Sequence, residues 1–251
     1  MPEHRVEIFL ILAAPFVGSF LAVLIVRLPE GRPWALARSA CPACDRRLGP
    51  RDLIPLLSWL LSRGRCRYCG ARIGVFYPAV EMAALLIAVW AASQFSGWLL
   101  VASCVLGWCL LALAVIDQRH GILPDELTLP LVPLGLVVAW FLNPDFLWAH
   151  VLGAALGFAA FAAIAWAYRR LRGMDGLGLG DAKLLAAAGA WLSWSGLASV
   201  VLLGAVSALA VVLLRALFGA SISAKERIAF GPYLCLAIWV VWLYGPLTFG
   251  G

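Results

Sequence analysis

Charge is scarce in this chain. Asp, Glu, Lys and Arg make up 13% of its 251 residues, against about 25% in a soluble domain. Lysine is almost missing, Lys183 and Lys225 being the two present. So little charge excludes a disordered chain. No heptad or Gly-X-Y repeat runs through the sequence, which excludes coiled-coil and collagen-like chains. No Gly-x-Gly-x-x-Gly fingerprint marks a dinucleotide pocket. The first uncharged run, 8–26, lacks a small-residue cleavage site and leads into a basic segment. It reads as a retained first span, not a removable signal peptide. What is plentiful is apolar: 64% of the residues are hydrophobic, where a soluble domain has roughly 45–50%. The expected fold class is an all-α polytopic membrane protein.

Six runs carry no Asp, Glu, Lys or Arg: 8–26, 82–116, 127–144, 146–168, 184–214 and 228–251. A span needs about 20 apolar residues, so 82–116 and 184–214 are too long for one each. Ser93-Gln94-Phe95-Ser96-Gly97 breaks the first, and Ser193-Trp194-Ser195-Gly196 the second. The pattern predicts about eight transmembrane helices, roughly 8–27, 78–94, 97–117, 126–142, 146–168, 181–193, 197–217 and 228–245. The sixth is short for a bilayer. Net charge is +6. In a soluble protein that would suggest nucleic acid; here its distribution decides. Apart from Arg5, every Lys and Arg lies in or beside 27–77, 118–125, 169–180 and 218–227. That asymmetry makes those segments cytoplasmic and both termini external, with no nucleic-acid partner expected.

The one sizeable soluble insert, 27–77, holds Cys41-Pro42-Ala43-Cys44 and Cys66-Arg67-Tyr68-Cys69. Two Cys-x-x-Cys knuckles at this separation suit one structural Zn²⁺, each short loop turning two thiolates toward one metal. Gly70 after the second pair permits a positive φ. So small an insert buries little core, and the metal would supply folding energy. A disulfide reading fits a reducing cytoplasm poorly. Cys104, Cys109 and Cys235 fall inside predicted spans and read as small apolar packing. The ten arginines of the insert face Glu30, Asp45 and Asp52 alone. They suit anionic lipid headgroups or docking of cytoplasmic assembly machinery.

Two acids stand out because ionisable groups in hydrocarbon are costly. Asp117 ends the run 82–116, and Asp181 follows Gly178-Leu179-Gly180 at the start of the sixth predicted helix. The topology puts both at cytoplasmic helix ends, where they can meet. Two facing carboxylates share a proton, so the pair holds one acid and one base near neutral pH, as in aspartic peptidases. Gly178 and Gly180 would let an extended substrate approach. Lys183 could orient Asp181 or the substrate, or meet headgroups. Glu81, one turn inside the second span, could snorkel to the interface, pair with Arg72 or serve a second site. Asp125 reads as the N-cap of the fourth helix, Asp175 as a solvated partner of Arg172, and His120 and His150 as interfacial. The many tryptophans suit membrane belts.

The stretches Gly18-Ser19-Phe20-Leu21 to Arg27-Leu28-Pro29, the two Cys pairs, Ile54-Pro55-Leu56-Leu57-Ser58-Trp59-Leu60 and Tyr77-Pro78-Ala79-Val80-Glu81 form one part of a pattern. Ile116-Asp117 to Leu123-Pro124-Asp125, Gly178-Leu179-Gly180-Asp181-Ala182-Lys183-Leu184-Leu185 and Phe230-Gly231-Pro232 complete it. Together they resemble the type 4 prepilin peptidases, membrane aspartic peptidases of type IV pilus and type II secretion systems. The resemblance implies removal of the basic leader of prepilins or pseudopilins after a Gly, on the cytoplasmic side, with Asp117 and Asp181 catalytic. It also implies N-methylation of the new N-terminus with S-adenosyl-L-methionine, since the Cys-bearing insert marks bifunctional members. The family usually has Asn where this chain has Ala22, and Asp-Asn-Ile-Pro where it has Asp52-Leu53-Ile54-Pro55. A peptidase without methyl transfer is therefore an alternative. An ion- or proton-coupled transporter, or a zinc-stabilised scaffold, are others. The expected division is a first transmembrane helix, 1–26, the zinc-binding insert, 27–77, and a peptidase core, 78–251.

Overall fold

The computed structural model describes residues 2–33, 40–41, 43–172, 178–218 and 229–247, with the backbone alone at Pro2, Glu3 and Arg172. Asp175 and the Arg172 side chain, expected as partners, lie outside the described residues. Among those residues the chain is all helical. It runs α1 (Pro2–Arg27), α2 (Leu57–Leu61), α3 (Phe76–Ala92), α4 (Gly97–His120), α5 (Asp125–Leu142), α6 (Leu147–Arg172), α7 (Leu179–Leu217) and α8 (Gly231–Tyr244), with 3-10 turns at Pro50–Asp52 and Pro144–Phe146. Among the described residues, five helices are long and apolar enough to cross a membrane: α1, α4, α5, α6 with the turn before it, and α7. α3 and α8 are apolar but shorter. The chain divides into two compact units, Met1–Ala112 and Leu113–Gly251, with the division inside α4.

In the first unit α1 packs on α3. Lipid is as apolar as a leucine side chain, so helices there are held by close packing of small residues. Ala14 and Ala22 on α1, and Ala84, Ala88 and Ala91 on α3, are fully buried. A Cβ on Gly18 would lie 2.6 Å from Glu81 Cα. Trp108 on α4 donates its indole N–H to Ala84 O at 3.0 Å.

In the second unit α7 is the hub, packed on α5, α6 and α8. Its contact with α6 is made backbone to backbone: a Cβ on Gly189 would overlap the Gly153 carbonyl, and one on Gly157 the Leu185 carbonyl. On the α5 side Trp191 fills the space over Gly135 and donates to Leu131 O at 2.8 Å. The break expected at Ser193–Gly196 is a kink: Ser193 alone leaves helical angles, at φ 60 and ψ 177. His150, read from sequence as interfacial, lies with Nδ1 3.0 Å from Ala190 O, a carbonyl in the turn that the kink disturbs.

Replacing Gly189 by Ala sets a helix-propensity gain of about 1 kcal/mol against an overlap that only backbone movement relieves, costing roughly 1–3 kcal/mol. The clash wins. Gly189→Ala is expected to lower the melting temperature in detergent, while Gly74→Ala, where an added methyl meets nothing, leaves it unchanged.

Candidate active site and metal centre

The second unit holds both aspartates. Asp117 lies in the last turn of α4 and Asp181 in the first turn of α7, and both are buried. The carboxylates are close enough for the charge on one to act on the other. Cys235, one turn into α8 and itself buried, is within reach of both charges. Gly231 opens α8 and donates its N–H to Asp117 Oδ2 at 3.0 Å. The first amides of a helix have no partner within it, so Gly231 N–H is available to an acid there. A Cβ at this position would sit 2.6 Å from the same oxygen, so glycine is the residue that fits.

The glycines before Asp181 divide in role. Gly178 is exposed and caps α7, its carbonyl accepting Asp181 N–H at 3.1 Å. Gly180 packs on Leu123, 2.9 Å from where its Cβ would be. Lys183 donates to both carboxylate oxygens of Asp125, at 2.6 and 2.8 Å. Asp125 is thus the first residue of α5 and the partner of Lys183, not the N-cap. Pro124, in extended backbone, takes that place, and its carbonyl accepts both Thr128 N–H and Thr128 Oγ1–H at 3.0 Å.

The first unit holds the thiols. The ligand atoms of Cys41, Cys44, Cys66 and Cys69 all lie within 4.8 Å of one another. Cys41 Sγ and Cys69 Sγ are 3.9 Å apart. A tetrahedron with Zn–S of about 2.3 Å has edges of roughly 3.8 Å, whereas a disulfide is about 2.05 Å. The two knuckles repeat one hydrogen-bond pattern. Cys41 N–H donates to Arg46 O at 3.0 Å and Asp45 N–H to Cys41 O at 2.8 Å; Cys66 N–H donates to Ala71 O at 2.8 Å and Gly70 N–H to Cys66 O at 2.9 Å. Gly70 has φ 73, and Asp45, the matching residue of the first knuckle, has φ 56. Backbone amides of Ala43 and Cys44 bring the Cys41 thiol down to about 7, which favours its thiolate, while the crowd of neighbouring thiols helps push Cys69 up to about 11.

Glu81 does not pair with Arg72. It is buried on α3 and accepts Leu56 N–H at 2.7 Å, with the Ser19 side chain also bonded to it. Leu56 caps α2 at φ 60 and ψ −52, a region nearly closed to bulky residues. Beside it lies a cavity of about 180 Å³ between the insert and the first helices of this unit, lined by Glu81, Asp52, Trp59 and Tyr68 among others. Sequence reasoning quoted Gly231 and Leu56 within motifs but missed them as donors, because a backbone amide leaves no mark in residue chemistry. The signal for Gly231 was Gly-Pro opening an apolar run.

Residues 12–95 match the model of the bacterial peptidase A24 N-terminal domain, and residues 104–223 that of the type IV leader peptidase family. A protein of Aeromonas salmonicida is 39% identical over 91% of this chain and 87% of its own length. One of Burkholderia pseudomallei is 40% identical over 93% and 84%, and one of Pseudomonas aeruginosa 36% identical over 94% and 89%. The chain belongs to the type IV leader peptidase family. All three relatives bear the name prepilin leader peptidase/N-methyltransferase. No solved structure matches the chain. Within this family member the aspartates fall in the segment matched by the leader-peptidase model, and the thiols and Glu81 in the segment matched by the N-terminal one.

Metal analysis of the chain purified without chelator is expected to find a single Zn²⁺ per chain, and Cys66→Ser to strip most of it. A metal-free wild-type chain, folded and reduced, would refute a metal centre.

Proposed function

We propose that this chain is an aspartic endopeptidase of the inner membrane that removes the basic leader of type IV prepilins or pseudopilins after a Gly, on the cytoplasmic side. We propose further that it methylates the N-terminus so exposed. The observation that carries the peptidase reading is the pair Asp117 and Asp181, buried within electrostatic reach of each other at helix ends. One carboxylate takes a proton from water as the water attacks the scissile carbonyl, and the other gives a proton to the leaving amine. The two share one proton, so the roles belong to the pair. Gly231 N–H fixes Asp117 during this exchange. A transporter reading suits acids at the bilayer midplane on repeated half-structures, and these acids lie at helix ends.

Eight spans result if α3 and α8 cross as well and α7 crosses twice, turning at Ser193. The arginine-rich insert, 27–77, would then face the cytoplasm with a structural zinc on Cys41, Cys44, Cys66 and Cys69, leaving 78–251 as the peptidase core. Its arginines would meet lipid or the pilus or secretion machinery.

The methyltransferase part of the relatives' name supports methyl transfer here. S-adenosyl-L-methionine, when bound, supplies a methyl group on a cationic sulfur. Trp59 and Tyr68 on the cavity wall offer aromatic rings on which the adenine of such a ligand could stack. The second reading is a peptidase alone. It is favoured by Leu53, which lines the same cavity where the family usually has Asn.

Mass spectrometry of a prepilin co-expressed with the chain is expected to find the leader removed and one methyl added. Asp117→Asn and Asp181→Asn should each reduce cleavage roughly 10²–10⁴-fold with unchanged membrane insertion. Gly231→Ala, whose methyl displaces the Asp117 carboxylate, should slow cleavage by at least about tenfold. Normal processing by either Asn variant would overturn the peptidase reading.

A further inference from the structure

The aspartate pair leaves one buried acid without a task. Glu81 is the carboxylate buried in the first unit among the described residues. Its bonded partners, Leu56 N–H and the Ser19 side chain, are neutral, and no arginine or lysine among the described residues pairs with it. A buried charge held by neutral donors alone is short of a counter-charge. Asp52, the other acid on the cavity wall, is already engaged by Gly49 N–H at 3.1 Å, Tyr68 Oη–H at 3.2 Å and Arg67 Nε at 3.3 Å. Glu81 is also rigidly placed, because α1 approaches its Cα through Gly18. Glu81 is thus the fixed carboxylate of this wall that bonds no cation; Val23, Val26 and Leu53 form the apolar part of the wall, and Arg27, Arg65 and Arg67 also line it, Arg67 being held by Asp52. A metal ion would find too few ligands there, since the four thiols already serve one another. An ammonium followed by apolar side chains matches the Glu81 carboxylate and the apolar part of the wall.

We propose that Glu81 receives the α-ammonium of a polypeptide N-terminus, and that this cavity is where the methyl acceptor sits. The proposal rests on the methyl-transfer reading above. The ammonium gives one proton to Glu81, and the amine lone pair so freed forms the new N–C bond. The methyl–sulfur bond of S-adenosyl-L-methionine breaks in the same step, its electron pair staying on sulfur to leave S-adenosylhomocysteine. Glu81 then returns its proton to water. Here Glu81 both binds and deprotonates the acceptor, while Leu56 N–H keeps its carboxylate aimed.

The test uses the full chain in detergent and a peptide of the mature prepilin N-terminus, made with a free or an acetylated α-amine. The wild type is expected to bind the free amine at least about tenfold more tightly than the acetylated form. Glu81→Gln keeps an acceptor for Leu56 N–H and removes the charge. It should bind the two peptides equally, remove leaders at the wild-type rate, and leave the new N-terminus unmethylated. Equal binding of both peptides by the wild type would overturn the proposal without any variant, as would full methylation by Glu81→Gln. If the wild type removes leaders without methylating them, methyl transfer falls. A Glu81-dependent preference for the free amine would then still establish the ammonium site.

Discussion

A carboxylate among apolar helices has to find hydrogen-bond donors inside the protein, and this constraint organises both units. Water is the usual donor and is absent from hydrocarbon. Most backbone amides are used up in their own helices, so the free ones lie at helix N-termini, where the helix dipole also favours negative charge. Two of the buried acids use this source. Asp117 takes the amide of Gly231, the first residue of α8, and Glu81 takes that of Leu56, the cap of α2. Asp181 sits in the first turn of α7 itself. Where the acids lie is therefore decided by where helices begin.

The same economy explains the helix contacts. With no hydrophobic force to drive helices together in lipid, contact depends on how closely backbones approach. α6 and α7 meet through Gly153, Gly157 and Gly189, and α1 meets α3 through Gly18. Polar bridges are few and placed where packing leaves a carbonyl open: Trp191 to Leu131, Trp108 to Ala84, His150 to Ala190. The Cys knuckles follow a different logic. They gain order from paired turns rather than burial, with one left-handed residue after each Cys pair.

Much of this was legible in residue order, for a physical reason. Uncharged runs mark helices because charge is costly in lipid, so the helix positions, the break near Ser193 and the acids at run ends could all be read. The Cys pairs could be read because two such pairs can turn four thiols toward one point, as they do here. What could not be read depends on distant backbone. Lys183 reaches Asp125 across 58 positions, and nothing local favours that partner over Asp181. Asp125 missed its cap role because Pro124 already had the extended backbone a cap requires. Glu81 was visible as an oddity, but its partner is an amide on a strained turn, and strain does not follow from composition.

The bond between Gly231 and Asp117 spans 114 positions, and this sets an order of assembly. A nascent chain that has delivered α1 to α7 possesses both aspartates but not the amide that fixes one of them. On the peptidase reading proposed above, the centre is complete only when α8 docks. The position of a buried acid on α4 is thereby tied to completion of the fold, with α8 serving as the latch.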